Sequence, residues 1–227
     1  MAVALVDARS IAATALNHGV LTAATDVDIP EYDKTYTFDK SVYDRRVYHG
    51  FKKAQPDYEL KLGPNITDWP SMYELSDNLL LKLAAVLQDE VTTTDELIPS
   101  GETSSFRSNP LGLAEFTLSR KDPAYVGRAK EVQVAEKAIQ NGECPAEALP
   151  ELKPVFEAVH TKYPQVDKTN VGVGSTIFAV KPGDGSAREQ AASCQKVLGG
   201  WANIANEYAT KRYRSNLINW GMLPFLI

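Results

Sequence analysis

One stretch constrains the fold more than any other. Residues 171–180, VGVGSTIFAV, read as a strand, and the chain then runs through the Pro-Gly-Asp-Gly turn of residues 182–185 into a helix that stops at Gly199-Gly200. The chain thus passes from strand to helix through a tight glycine turn, in keeping with the expected α/β fold class. Gly172 and Gly174 let a neighbouring backbone come close. They also begin a G-x-G-x-x-G, but Ile177 stands where the third glycine of a dinucleotide fingerprint is required.

The turn makes an anion site. The first N–H groups of a helix have no internal acceptor and lie at the positive end of its dipole, so a carboxylate or phosphate is stabilised there. Ser186 and Arg188 stand at that helix start. A plainer interpretation of the same residues is open. Ser186-Ala187-Arg188-Glu189 fits the S/T-x-x-E capping box, in which Ser186 only caps the helix and Glu189 reaches back to it.

Elsewhere the chain sorts by period. Residues 78–87 are a nearly continuous apolar run closed by Gln88-Asp89-Glu90, which predicts a buried strand, and Thr92–Gly101 reads as a polar turn. Helices are predicted over 111–118 and 124–140, the second with Val126, Ala129, Val132, Ala135 and Ile139 on one stripe and Asn141-Gly142 as its stop. Pro145, Pro150 and Pro154 leave room for at most a short helix through 155–161. Near the start, Asp7 to Gly19 reads as a short helix capped by Asp7. Residues 32–59 lack a helical period and are expected to be extended, and 55–77 is punctuated like a linker. The expected division is an N-terminal helix, arm and linker over 1–77 and a domain over 78–227.

Composition narrows the function. With 24 Lys and Arg against 29 Asp and Glu, the net charge of -5 argues against a general nucleic-acid coat. No apolar run reaches the ~20 residues that span a bilayer, and Asp7 interrupts what would have to be the apolar part of a secretory signal, so a cytoplasmic protein is expected. Cys144 and Cys194 are the only thiols, 50 positions apart, and His18, His49 and His160 are scattered; no metal or disulfide site follows from such spacing. The polar loop of residues 91–110 holds Arg107, which has the fork to grip a carboxylate in a bidentate pair, or is a plain surface arginine.

Two motifs now bear comparison with a known family. Asp-Gly-Ser-Ala-Arg-Glu-Gln-Ala-Ala over 184–192 resembles the G-x-G-S-S-R-E-H-A segment of the aconitase and isopropylmalate isomerase superfamily, and Thr93-Thr94-Asp95-Glu96 resembles its T-T-D-H segment. Asp95 precedes Arg107 by twelve positions, the interval found in that family. Residues 214–223, RSNLINWGML, resemble its N-x-x-x-x-G-L-L-P stretch, and the opening DARSIAAT is similar to the end of the cluster-bearing part of bacterial aconitase-like hydratases.

The resemblance implies a swivelling β/β/α domain of the aconitase C-terminal, small-subunit type, with an extended N-terminal arm. It implies that Ser186 takes a proton from carbon as an alkoxide, that Arg107 and Arg188 bind substrate carboxylate, and that Asp95 orients this arginine pair. Ala187 and Glu96 stand where the family has serine and histidine. These departures point away from citrate or isocitrate, toward a related hydroxy di- or tricarboxylic acid. The implied activity is that of a hydro-lyase. With two thiols, the chain binds no cofactor itself, and the 4Fe-4S cluster is expected in cluster-bearing domains of the same enzyme or in a large subunit. An end at Pro224–Ile227 fits a fragment whose isolated form is inactive. Two alternatives stand beside this: a non-catalytic carboxylate or phosphate binding module, and a separate small subunit of the isopropylmalate isomerase type.

Overall fold

The computed structural model describes residues 3, 5–28, 35–46, 50–166 and 170–227. It divides into two compact units, Met1–Glu59 and Leu60–Ile227. Composition separates an arm and linker at residue 77; by packing, residues 60–77 go with the second unit.

In the first unit, helix α1 (Ala8–Leu16) begins where Asp7 accepts from the backbone N–H groups of Arg9 at 2.8 Å and Ser10 at 2.9 Å. It ends at Asn17 with Gly19 in the left-handed region at φ 88°. The expected extended arm is interrupted by α2 (Ser41–Arg46), whose entry is tied by Asp39 accepting from the Ser41 N–H at 2.9 Å. A side-chain cap of this kind offsets a weak helical period. Tyr32, Tyr48 and His49 lie outside the described residues.

The second unit is built on a four-stranded parallel sheet. Its strands are β1 (Asn78–Leu87), β3 (Val171–Ala179), β5 (Gly200–Ala205) and β6 (Leu223–Leu226), side by side in that order. Central β3 is buried on both faces, with only Phe178 partly exposed, which is why its sequence is a nearly continuous run of apolar and small residues instead of alternating. Between β3 and β5 the backbones and rings come close: a Cβ on Gly174 would lie 1.5 Å from Cδ1 of Trp201.

A second, two-stranded parallel ladder joins β2 (Thr92–Thr93) to β4 (Pro182–Asp184). Helix α3 (Thr94–Leu97) follows β2 directly, so the region expected as a polar turn is strand and helix. Helix α4 (Pro110–Ala114) starts at an Asn109 cap with proline in its first turn, where a missing N–H costs nothing. Helix α5 (Tyr125–Gln140) packs on β3 with Ala129, Val132 and Ala135 buried.

The proline-rich stretch holds two helices, α6 (Pro145–Ala148) and α7 (Leu152–Lys162). Both are more than was expected, because Pro145 and Pro154 fall in first turns, where no intrahelical N–H is needed. Helix α8 (Arg188–Val197) packs against α4 and against α9 (Lys211–Asn219), and Leu97, Leu118, Ala191, Cys194 and Leu217 close the main core among them. Among the described residues no helix is long and apolar enough to cross a membrane. The outcome is a mixed α/β unit with a parallel sheet.

Candidate active site

The short β2–β4 ladder decides where the chemistry can lie. It pairs Thr92 with Pro182 and Thr93 with Asp184, and the Thr92 N–H donates to the Lys181 carbonyl at 3.0 Å. Two segments about ninety residues apart in the chain, Thr93–Glu96 and Asp184–Arg188, are thereby brought edge to edge. The approach is tight at Gly185, which has φ 121° and whose absent Cβ would meet the Thr94 hydroxyl at 2.3 Å.

Both segments carry the S/T-x-x-E spacing, and the structure uses it only once. At α3 the Thr93 hydroxyl accepts from the Glu96 N–H at 3.2 Å while the Glu96 carboxylate accepts from the Thr93 N–H at 2.7 Å, a complete capping box. Burial pushes the Glu96 carboxyl up, but the Lys121 ammonium at 2.9 Å and the Thr93 bonds outweigh it and hold it below the usual range. Glu96, one of the two departures from the family pattern, therefore serves the helix start.

At α8 the N-cap is Ala187, with no side-chain cap bond. Ser186 lies one residue outside the helix, exposed. The interpretation of Ser186 as a mere cap is corrected accordingly: the glycine turn sets the helix start one residue later than the S-x-x-E spacing requires.

Ser186 opens instead onto a cavity of about 270 Å³. Its polar wall is formed by Ser100, Thr103, Arg107, Ser186 and Gln190, and Ile98 and Leu113 close an apolar side. Among the described residues no carboxylate pairs with Arg107. A guanidinium and a hydroxyl with no side-chain partner among the described residues thus face one space, an arrangement able to take a carboxylate.

The other two expected residues are placed differently. Arg188 is half-buried in the first turn of α8 and does not line this cavity; its Nε is buried with no protein partner. Asp95 does not bond either expected arginine. Its carboxylate accepts from the Ser100 N–H and hydroxyl, both at 2.9 Å, and from Arg120 Nη1 at 2.7 Å. The Ser100 bonds, with Arg120 beside them, hold its pKa below the usual carboxylate range. The expected role of orienting Arg107 and Arg188 directly is corrected on this geometry. Asp95 reaches the cavity through Ser100.

Sequence reasoning missed Arg120, which lies thirteen residues beyond Arg107 in a stretch of turns with no motif. It also missed Asn65 and Thr67, expected in a linker. Asn65 donates to the Ser105 carbonyl and accepts from Asn109 Nδ2 at 2.9 Å, and the Thr67 N–H donates to Ser108 O at 2.9 Å. The loop bearing Arg107 is thus tied on a second side. The only local signal was Asn65, an asparagine beside Gly-Pro that takes φ 57°.

An iron–sulfur cluster is held by several thiolates. This chain has two cysteines: Cys144 is half-buried, and burial pushes the Cys194 thiol up to about 12, leaving it protonated. The residues present do not fit that group.

No curated protein matches the chain significantly. A family model, described as the aconitase C-terminal domain, matches residues 150–227. That segment is about a third of the chain; it runs from α7 to β6 and includes Ser186 and Arg188, but not Asp95 or Arg107. Residues 150–227 thus match the aconitase C-terminal domain, the same superfamily that the motifs at 93–96 and 184–192 resemble.

Proposed function

We propose that this chain is the substrate-binding swivel part of an aconitase-like hydro-lyase, which dehydrates and rehydrates a hydroxy di- or tricarboxylic acid. One observation carries this reading: the Ser186 hydroxyl, free of any capping duty, shares a cavity with an Arg107 that has no acidic partner among the described residues.

Arg107 would grip a substrate carboxylate, and Arg188, whose buried Nε has no hydrogen-bond partner among the described residues, would supply a second cationic contact. Ser186, as its alkoxide, would take the proton from the carbon next to that carboxylate. The C–H bond breaks, the proton goes to Ser186 Oγ, and the electron pair is delocalised into the carboxylate, where a guanidinium stabilises it. Loss of hydroxide from the adjacent carbon completes the dehydration.

An alcohol is a useful base only where its anion is stabilised, and the free N–H groups at the start of α8 with two guanidinium groups nearby supply such a field. The remaining chemistry, including the cluster that this chain's two thiols cannot hold, belongs on this reading to further domains of the same enzyme or to a large subunit. Asp95 acts one step back, by holding the loop of Ser100.

Substitution of Ser186 with Ala in the complete enzyme tests the reading. Turnover of a hydroxy tricarboxylate is expected to fall at least about 10²-fold with KM little changed. A fully active variant removes the catalytic role of Ser186.

A further inference from the structure

We infer that Arg120 is a positioning residue for carboxylate binding: its guanidinium clasps Asp95 and Glu102, the two sides of the loop that presents Ser100, Thr103 and Arg107 to the cavity. The inference rests on the reading of that cavity as a carboxylate site and adds a residue that no motif points to.

The geometry is specific. Arg120 donates from Nη1 to Asp95 Oδ2 at 2.7 Å, and from Nε and Nη2 to Glu102 Oε1 at 3.1 and 3.0 Å. Both carboxylates raise the Arg120 pKa further, the Glu102 bond most. The other oxygen of Asp95 accepts from both the N–H and the hydroxyl of Ser100 at 2.9 Å. One planar fork thus fixes, in sequence, the first turn of α3, Ser100 and Glu102. Directly after Glu102, the Thr103 hydroxyl donates to the Pro99 carbonyl at 2.8 Å, which closes the loop on itself just before Arg107.

The way Arg120 is aimed shows that the clasp is built into the fold. Two residues earlier, fully buried Leu118 takes the left-handed conformation at φ 57°, uncommon for a leucine, and its N–H donates to the Leu97 carbonyl at 2.9 Å. That kink turns the chain so that Arg120 reaches Asp95 and Glu102 while the next residue, Lys121, reaches Asp89 at 3.0 Å and Glu96 at 2.9 Å. Two adjacent cations therefore hold four acids: Asp89 before β2, Asp95 and Glu96 within α3, and Glu102 after it. Exposed ion pairs add little to global stability. What this one changes is where Ser100 and Arg107 stand, and an error near 1 Å in a carboxylate-binding arginine is enough to weaken binding strongly.

Lysine cannot replace the fork, since it lacks the planar donors that serve two carboxylates together. Tricarballylate, a tricarboxylate without a reactive hydroxyl, serves as the probe. The full chain, with Arg120→Ala, Arg120→Lys and Arg107→Ala variants, is titrated with it by NMR, and amide hydrogen exchange is measured in parallel. Arg120→Ala is expected to speed exchange of the Ser100 amide and to weaken probe binding about tenfold, Arg120→Lys to recover only part of the loss, and Arg107→Ala to abolish binding. Glu102→Gln, which breaks the same clasp from the other side, is expected to weaken binding in the same direction and stands in if Arg120→Ala does not fold.

Unchanged Ser100 exchange and unchanged affinity in Arg120→Ala, with binding lost in Arg107→Ala, overturn the positioning role and leave the carboxylate site standing. Faster exchange with affinity unchanged in both Arg120→Ala and Arg107→Ala overturns both. A wild-type chain that does not bind the probe at all does the same.

Discussion

Gly185 and Thr94 stand so close that a methyl group on the glycine would lie 2.3 Å from the threonine hydroxyl, and Gly185 has φ 121°, a conformation that side chains oppose. Thr94 is itself buried, so it has nowhere to retreat. This contact sets the distance between α3 and the start of α8, and so the position of Ser186 relative to the Arg107 loop. Gly185→Ala is expected to cost about 2 to 4 kcal/mol in thermal or urea unfolding. Gly101→Ala, in the same region but with open space and no positive φ, is expected to stay within about 0.5 kcal/mol. Equal effects of the two would mean that the Gly185 contact is not made.

The two S/T-x-x-E segments predict opposite outcomes for the same type of change. Thr93→Ala removes a working cap and is expected to cost about 1 kcal/mol. Ser186→Ala removes a hydroxyl that caps nothing, and its free energy of unfolding in urea is expected to match the parent to within about 0.5 kcal/mol. A loss at Ser186 as large as that at Thr93 would restore its capping role and weaken the case for a free base.

Gly174 and Trp201 interlock across the β3–β5 pair. Alanine at 174 would place its Cβ 1.5 Å from the indole Cδ1, and the strand is central, so neither backbone can step aside. Gly174→Ala is expected to cost more than about 4 kcal/mol. Combining it with Trp201→Leu should recover part of that loss, a non-additivity that a double-mutant cycle measures. Strict additivity would show that the ring and the glycine do not compete for the same space.

Lys196 gives stability a pH dependence of known sign. Its ammonium sits 3.5 Å from the centre of the Trp201 ring, and burial lowers its pKa from 10.5 to about 8, with Glu136 working the other way. Between pH 8 and 10.5 the unfolded chain binds more protons at this site than the folded one, so this contribution to stability rises with pH across that window. Below pH 8 both states are protonated and the cost of the buried charge is fully present. The stability of Lys196→Met relative to the parent is expected to fall by about 3 kcal/mol from pH 7 to pH 10.5. A difference independent of pH would place the Lys196 ammonium in water.

Elements whose cause is local were legible in the amino-acid sequence. Strand β1 matches the apolar run at 78–87 in extent but, as an edge strand, is buried only at Ala84, Ala85 and Leu87; the strand expected over 171–180 is β3, and Asp7 caps α1 as its spacing implies. Helix α5 follows its stripe, ending at Asn141. The misses share a reason. Helices α6 and α7 were underrated because proline breaks a helix only beyond the first turn, and where the first turn falls depends on what Leu152 packs against: Val132, Ala135 and Val173. The arm before residue 60 contains α2, whose supports are local: Asp39 accepting from the Ser41 N–H and the Lys40–Asp44 pair.

Sequence alone determined which residue types stand beside a glycine turn, that Ser186 and Arg188 share a helix start, and that residues 184–192 carry a family motif, because turn chemistry and helix termini are written within a few positions. Tertiary structure decided the rest. It placed Ser186 and Arg107 on one cavity through the β2–β4 ladder, closed the capping box at Thr93 instead of Ser186, and gave Asp95 to Ser100 and Arg120. These are choices among competing partners far apart in the chain, and a carboxylate has no means of selecting its guanidinium until packing has brought one within 3 Å and left the others beyond reach.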